Sequence, residues 1–300
     1  MAEPLPNPER QWQLTARHGE VTTADIERRL GAHAGEWQLL SGGLANANVL
    51  VGGRVLRIYR RDPGTLRLEA ALLRRPWQSF RVPEILEIGS DFMLLEYVPH
   101  GPLLGSAEHG TAVGLALAEI HGSPFEHAGF LTPELQVAEP FPDLIPSLIS
   151  YARSLLPRAE EALGAARAQQ VLDALESNAA ALGAAVGKPV LLHADFKASN
   201  LHWASDNRLL VLDWEFAYAG SRLSDVGQLL RWAPPEPFVR AFELAYAAAG
   251  PGLPVDFEKW AALLDLVNLL GLVSNPNIAE QPRMQDVSER IARTLASTLE

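Results

Sequence analysis

Leu191-Leu192-His193-Ala194-Asp195-Phe196-Lys197-Ala198-Ser199-Asn200-Leu201 runs through the turn Ala204-Ser205-Asp206-Asn207-Arg208 to Val211-Leu212-Asp213-Trp214-Glu215. The first apolar segment delivers His-x-Asp, and Asn200 stands five residues after that Asp. The second apolar segment ends in Asp213. Two Asp and one Asn at the ends of short strand-like segments suit holding a divalent metal over a phosphate, with one carboxylate left to face an acceptor hydroxyl. Asp and Asn beside turns usually serve turn chemistry, and a His-x-Asp pair alone carries little weight. The spacing from Asp195 to Asn200, joined to an apolar-flanked Asp downstream, is much rarer and singles out this segment.

The surrounding chain has 300 residues, 48% hydrophobic and 20% charged, enough for one bilobed unit or two modest domains. No apolar run is long enough to span a bilayer. Met1-Ala2-Glu3-Pro4-Leu5-Pro6 lacks the basic and apolar regions of a secretory signal, so a cytoplasmic protein with no membrane partner is expected. Cysteine is absent, which excludes disulfides, Cys-ligated zinc and thiol nucleophiles. The net charge of −11 disfavours a nucleic-acid partner. Residues 1–97 hold twelve basic and twelve acidic groups, so the whole −11 falls on residues 98–300. If the substrate binds there, steering favours a cation; solubility is the commoner cause of such a surplus.

Outward from the motif toward the N-terminus, the pattern is of strands. Residues 1–21 are Pro-rich and polar, and read as a loosely ordered arm. Thr22 to Gly31 reads as a short helix, capped by Thr22 or Thr23 and stopped by Gly31. Trp37–Leu40, Val49–Val51 and Val55–Tyr59 form a meander of three strands. Its first turn, Ser41-Gly42-Gly43-Leu44-Ala45-Asn46-Ala47-Asn48, is rich in Gly and Asn, and such a loop brings backbone N–H groups close to phosphate oxygens. An ordinary hairpin is the commoner reading of it, and no Gly-Lys-Ser/Thr follows to make a Walker loop. Arg57 lies among apolar residues, where an inward charge needs a partner, and Glu69 in the helical segment Leu66–Leu73 can supply it; taken alone, a strand-edge Arg with its head in water and an unrelated surface Glu is the commoner reading. Lys188, Lys197 and Lys259 are the only lysines, so a phosphate-binding strand cation must be Arg. Two more strands follow, Val82–Gly89 and Phe92–Tyr97. Pro99-His100-Gly101-Pro102 then breaks the chain, and a crossover there puts the backbone from Glu96 to Val98 in position to meet an adenine edge.

From about residue 110 helices dominate: Thr111–His121, 142–156, 158–186, Leu223–Trp232, Pro237–Ala249, Phe257–Leu272 and Val287–Leu299. His121 reads as a helix-terminal or packing residue. The expected architecture is α+β and bilobed. Residues 1–97 form a small antiparallel N-lobe with the phosphate loop and the arm, and residues 98–300 a larger helical C-lobe with the catalytic loop and acceptor site.

With its pieces in this order, the chain resembles the aminoglycoside phosphotransferase and choline kinase-like family, which has a protein-kinase-like fold. The resemblance runs from about Leu39 to about Leu272. It rests on His193-x-Asp195-x-x-x-x-Asn200 and Asp213-Trp214-Glu215-Phe216, supported by Gly220 and Asp225, and more weakly by Leu56-Arg57-Ile58-Tyr59, Glu69 and Leu95-Glu96-Tyr97. It implies Mg²⁺-assisted transfer of phosphate from ATP or GTP to the hydroxyl of a small molecule. Asp195 then orients and deprotonates the acceptor, and Asn200 and Asp213 hold Mg²⁺. Lys197 neutralises the moving phosphoryl group, unless it is a solvated loop lysine. Gly42, Gly43, Asn46, Arg57, Glu69, Glu96 and Val98 serve the nucleotide, with the Arg57–Glu69 pair holding the Arg toward phosphate as a Lys–Glu pair does in protein kinases. His193 supports the loop by hydrogen bonding, and Asp225 anchors it or sits in the first turn of a helix.

No Ala-Pro-Glu segment and no long activation loop follow Asp213, which favours a small-molecule acceptor over a protein. The acceptor itself is illegible. A cationic amine or amino sugar could meet Glu215, Trp214, Trp232, Trp260 or Asp265, although a fold residue or solvated face is the commoner role of each. Asp265 and Asn268, at i and i+3, read as the wet side of an apolar helix. The rival readings are a nucleotide-binding protein without turnover and a protein kinase.

Overall fold

The computed structural model describes residues 2–9, 12, 21–31, 35–40, 46–60, 62, 64–275 and 281–298, so Gly42 and Gly43 lie outside the described residues. Thr22 caps helix α1 (Thr23–Leu30) through a reciprocal box. Its hydroxyl accepts the Asp25 N–H at 3.2 Å, and the Asp25 carboxylate accepts the Thr22 N–H at 3.0 Å. Strands β1 (Trp37–Leu39), β2 (Ala47–Val51) and β3 (Arg54–Ile58) follow, then helix α2 (Thr65–Leu73) and strands β4 (Ile85–Ile88) and β5 (Phe92–Glu96). They form an antiparallel sheet of order β1-β2-β3-β5-β4. Alternation along β3 sends Leu56 and Ile58 into a small core with Ile26 and Val49. Arg57 therefore points to the opposite face, where α2 carries the buried Glu69.

Strand β6 (His100–Pro102) occupies the expected break, pairing with β10 (Leu201–Ala204), which in turn pairs with β11 (Leu209–Val211). Strands β7 (Gly129–Leu131), β8 (Val137–Pro140), β9 (Val190–Leu192) and β12 (Tyr218–Gly220) make a further sheet. The helices of this half are α3 (Ala107–His121), α4 (Leu144–Leu163), α5 (Ala165–Ser177), α6 (Ala179–Ala185), α7 (Arg222–Leu230), α8 (Glu236–Ala249), α9 (Phe257–Ser274) and α10 (Gln281–Thr298). At the α7–α9 crossing a Cβ on Gly227 would stand 2.4 Å from the Ala261 carbonyl, so only glycine permits this approach. The described residues thus form the bilobed α+β fold expected.

Three expectations fail in detail. The break expected near Pro157 falls instead at Gly164, where φ is +80°. Proline removes one helical N–H, but the buried face of Ile149, Ala152 and Ala159 keeps α4 continuous through it. The N-terminal stretch is no loose arm among its described residues. The Leu5 N–H donates to the Leu103 carbonyl and the Gly105 N–H to the Glu3 carbonyl, both at 2.8 Å. Leu5, Glu9 and Trp12 are buried, and Trp12 meets Trp232 edge-on at 5.5 Å. Burying those two apolar side chains outweighs the local Pro-rich character, and it ties the stretch to the helical half instead of the sheet. Asp265 is not on a wet side: it is 1% exposed and bidentate with Arg231, at 2.7 and 2.8 Å.

Candidate active site

The loops after β9 and β11 each hold one residue in an unfavourable backbone shape. Ala194 (φ +63°) after β9 and Asp213 (φ +67°) after β11 are both left-handed, at roughly 1–2 kcal/mol each for residues with a Cβ. Helix α7 supplies the opposing bonds to the Ala194 side. Asp225 accepts the His193 N–H at 2.9 Å and the Ala194 N–H at 2.8 Å. Gln228, one turn on, accepts the Phe196 N–H and donates to the Ala194 carbonyl, each at 2.8 Å. His193 is fully buried, with Nε2 donating to the Leu212 carbonyl at 2.9 Å and Nδ1 accepting the Asp195 N–H at 3.2 Å. Burial holds its pKa below the ordinary value, which suits the neutral tautomer these bonds require. His121 bridges Tyr246 and Asp225 in the same buried layer.

The three oxygen-bearing residues then fall together. Asn200 Nδ2 donates to the Asp195 carbonyl at 2.9 Å and to its Oδ2 at 2.8 Å. The Leu201↔Val211 register continues into a bond from the Leu212 N–H to the Asn200 carbonyl at 3.0 Å, which sets Asp213 beside Asn200. Asn200 and Asp213 line a cleft of about 430 Å³. Its walls include Val55, Leu95, Tyr97, Val98 and Leu210, and this is the size and mixed chemistry of a small-ligand site.

Arg57 pairs with Glu69 (Nε to Oε2, 3.1 Å) as expected, and its Nη2 also pairs with Asp213 Oδ1. Burial disfavours this cation, but the Asp213 and Glu69 carboxylates overcome it and hold its pKa well above the usual value. Burial, only partly offset by Arg57, raises the Glu69 pKa; Glu69 also accepts from Tyr59 at 2.5 Å and from the Trp214 N–H at 3.3 Å. Asn46 donates to Glu215 at 2.5 Å. Burial, then the neighbouring Asp213 charge, pushes Glu215 up to about 8. Lys197 is no solvated loop lysine, since its Nζ lies 2.9 Å from Asp195 Oδ1 and 2.8 Å from Glu9 Oε2. Glu96 and Val98 line the cleft; the Glu96 carboxylate turns to Arg81, and the Val98 carbonyl meets His100 Nδ1 at 2.6 Å.

The groups considered for a cationic acceptor are mostly spent elsewhere. Trp214 is fully buried, stacked 5.3 Å from Trp77, and Glu215 faces the Arg57 cluster. Asp265 serves Arg231, Trp232 donates to Glu9 at 3.1 Å, and Trp260 donates to the Val255 carbonyl at 3.2 Å. Sequence reading missed Glu9, Arg231 and Gln228. Glu9 sits in a segment without periodicity, Gln228 lies on α7 and Arg231 caps its C-terminal end; no local signal marked them.

The donor set fits Mg²⁺. Because Asn200 Nδ2 is engaged by Asp195, its Oδ1 is left for a ligand, Asp213 lines the same cleft, and Mg²⁺ usually takes one or two such protein oxygens plus substrate phosphates. Ser199 Oγ, also on the cleft wall, is buried without a hydrogen-bond partner among the described residues, as expected of a group that meets a ligand. Among the described residues no three His, Cys, Asp or Glu side chains form a metal cage.

A family model described as the phosphotransferase enzyme family (APH) matches residues 36–263, which span the sheet, the cleft and the motif segment. The chain belongs to that family. This phosphotransferase is thus an enzyme. Solved structures share its fold. A streptomycin–ATP ternary complex of APH(2'')-IIa matches with TM-score 0.62 at 18% identity, covering 94% of this chain and 97% of that one. A GDP complex of an aminoglycoside 2'-phosphotransferase IIIa mutant matches with TM-score 0.71 at 15% identity, covering 92% of this chain and 97% of that one. A fructosamine-3-kinase from Thermobifida fusca matches with TM-score 0.62 at 18% identity, covering 91% and 98%. No curated protein sequence matches the phosphotransferase. No described helix of it is long and apolar enough to cross a membrane.

Proposed function

We propose that this phosphotransferase moves the terminal phosphoryl group of a purine nucleoside triphosphate, ATP or GTP, to a hydroxyl of a small cationic amine or amino sugar in the cytoplasm. The acceptor oxygen bonds to phosphorus as the bridge to the nucleoside diphosphate breaks, and the acceptor proton passes to Asp195. Asn200 and Asp213 hold Mg²⁺, which when bound neutralises phosphate charge. Arg57, kept in place by Glu69, and the loop containing Gly42, Gly43 and Asn46 bind the phosphates, and the wall from Glu96 to Val98 takes the base. Lys197 stands beside Asp195, where a cation balances the transferring group.

One observation carries this reading. The amide of Asn200 clamps Asp195 at 2.8 Å while the Asn200 carbonyl accepts the N–H of the residue before Asp213, so Asn200 ties the base to the two oxygen ligands, Asn200 and Asp213, that line the cleft. A cationic acceptor is supported by the −11 carried by residues 98–300. The test is a panel of hydroxylated amines and sugars with Mg-ATP and Mg-GTP, read by diphosphate release. Acceptor-dependent release by the wild type should fall about 10²–10⁴-fold in Asp195→Asn with nucleotide affinity kept. Full acceptor-dependent turnover by Asp195→Asn would refute the assignment.

A further inference from the structure

Five side chains of alternating charge run from the motif loop into the helical half: Asp195, Lys197, Glu9, Arg231 and Asp265. Glu9 is the middle one and comes from the N-terminal stretch, outside the matched residues 36–263. Its side chain is 5% exposed. Oε2 takes Lys197 Nζ at 2.8 Å, and Oε1 takes Arg231 Nη1 at 3.0 Å and Trp232 Nε1 at 3.1 Å. Burial works to raise this carboxyl, yet the Lys197 and Arg231 cations hold it at about 2.

The two cations depend on Glu9 unequally. Arg231 keeps a bidentate partner in Asp265 whatever happens at Glu9. Lys197 has ion pairs only with Glu9 and Asp195 among the described residues. A lysine stem has many rotamers, so one carboxylate anchor fewer leaves its ammonium poorly placed. The Trp12–Trp232 contact and the Leu5–Leu103 bond in turn fix the backbone that carries Glu9. We propose that Glu9 is a positioning residue: it holds Lys197 against Asp195, and so makes the N-terminal stretch part of the active site. Its kinetic consequence rests on the function proposed above, whereas the contact itself does not.

Two measurements on the full-length protein test it. The sequence has three lysines, so acylation of each by an amine-selective ester is resolved by mass spectrometry, with the exposed Lys188 as internal reference. Wild-type Lys197 should react at least about tenfold more slowly than Lys188, and Glu9→Gln should remove most of that protection without changing Lys188. With an active acceptor, Glu9→Gln should lower kcat about tenfold or more with nucleotide KM within about threefold. In a Lys197→Met background the same change should alter kcat less than about twofold, because the two act as a unit. Lys197 as reactive as Lys188 in the wild type, a decisive result even if Glu9→Gln does not fold, overturns the proposal. So does an unchanged kcat in Glu9→Gln, or an effect fully additive with Lys197→Met, which a merely structural role would give. Absence of any turnover by the wild type would count against the proposed function and leave the contact to be decided by acylation.

Discussion

Replacing Asp225 by Asn changes one atom type at the point that holds the motif loop. Asp225 is fully buried; Oδ1 accepts the Ala194 N–H at 2.8 Å, and Oδ2 accepts the His193 N–H at 2.9 Å and faces His121 Nε2 at 3.2 Å. An amide has one accepting oxygen, so in either orientation its NH₂ confronts one of the two backbone N–H groups. A buried donor left unsatisfied costs about 1–3 kcal/mol, and the surviving bonds lose roughly 1 kcal/mol of charge assistance. The left-handed Ala194 also loses a bond that opposes its strain. Destabilisation of about 2–4 kcal/mol follows. For a chain this long that means a melting temperature lower by roughly 3–6 °C. Thermal and urea unfolding followed by circular dichroism at pH 7.5 measures it, with turnover assayed on the folded fraction. A loss below about 1 kcal/mol would show that the Asp225 bonds do not support the loop.

Two further outcomes are expected. Asp265→Ala strips the bidentate partner from Arg231, whose side chain is 3% exposed, and should cost about 3–5 kcal/mol in urea unfolding; a change under about 1 kcal/mol would contradict the buried pair. The second concerns pH. Burial sets the native pKa of His121 below 6.5, so the unfolded chain takes up the proton first as pH falls. This ring's contribution is therefore intact above about pH 6.5 and is lost below it at up to about 1.4 kcal/mol per pH unit. Glu215, raised to about 8, acts in the opposite sense over the same range, so the comparison of wild type with His121→Gln isolates the ring. Parallel stability curves for the two between pH 7.5 and about 5.5 would rule the effect out.

The local features were legible because their causes are local. The Thr22–Asp25 box is a four-residue pattern, and the β3 alternation that turns Arg57 away from Leu56 and Ile58 is a period of two. Arg57 and Glu69 were matched because a buried strand cation needs a counter-charge and a nearby helix offered one. The motif spacing likewise placed Asn200 on Asp195, five residues away. Pro157 misled for the complementary reason: its local penalty is real, but the burial that overrides it comes from packing of α4.

By itself, then, the sequence showed the α+β order of elements, marked Asp195, Asn200 and Asp213 as the candidate site, and offered Glu69 as the partner of Arg57, all from local pattern and spacing. Only the tertiary structure decided that Asp213 also meets Arg57, that Asp265 is buried against Arg231, and that Glu9 reaches Lys197. A charge on a polar stretch looks solvated until a distant counter-charge is packed beside it. Which distant charge that is depends on how whole elements dock, and no local pattern encodes it.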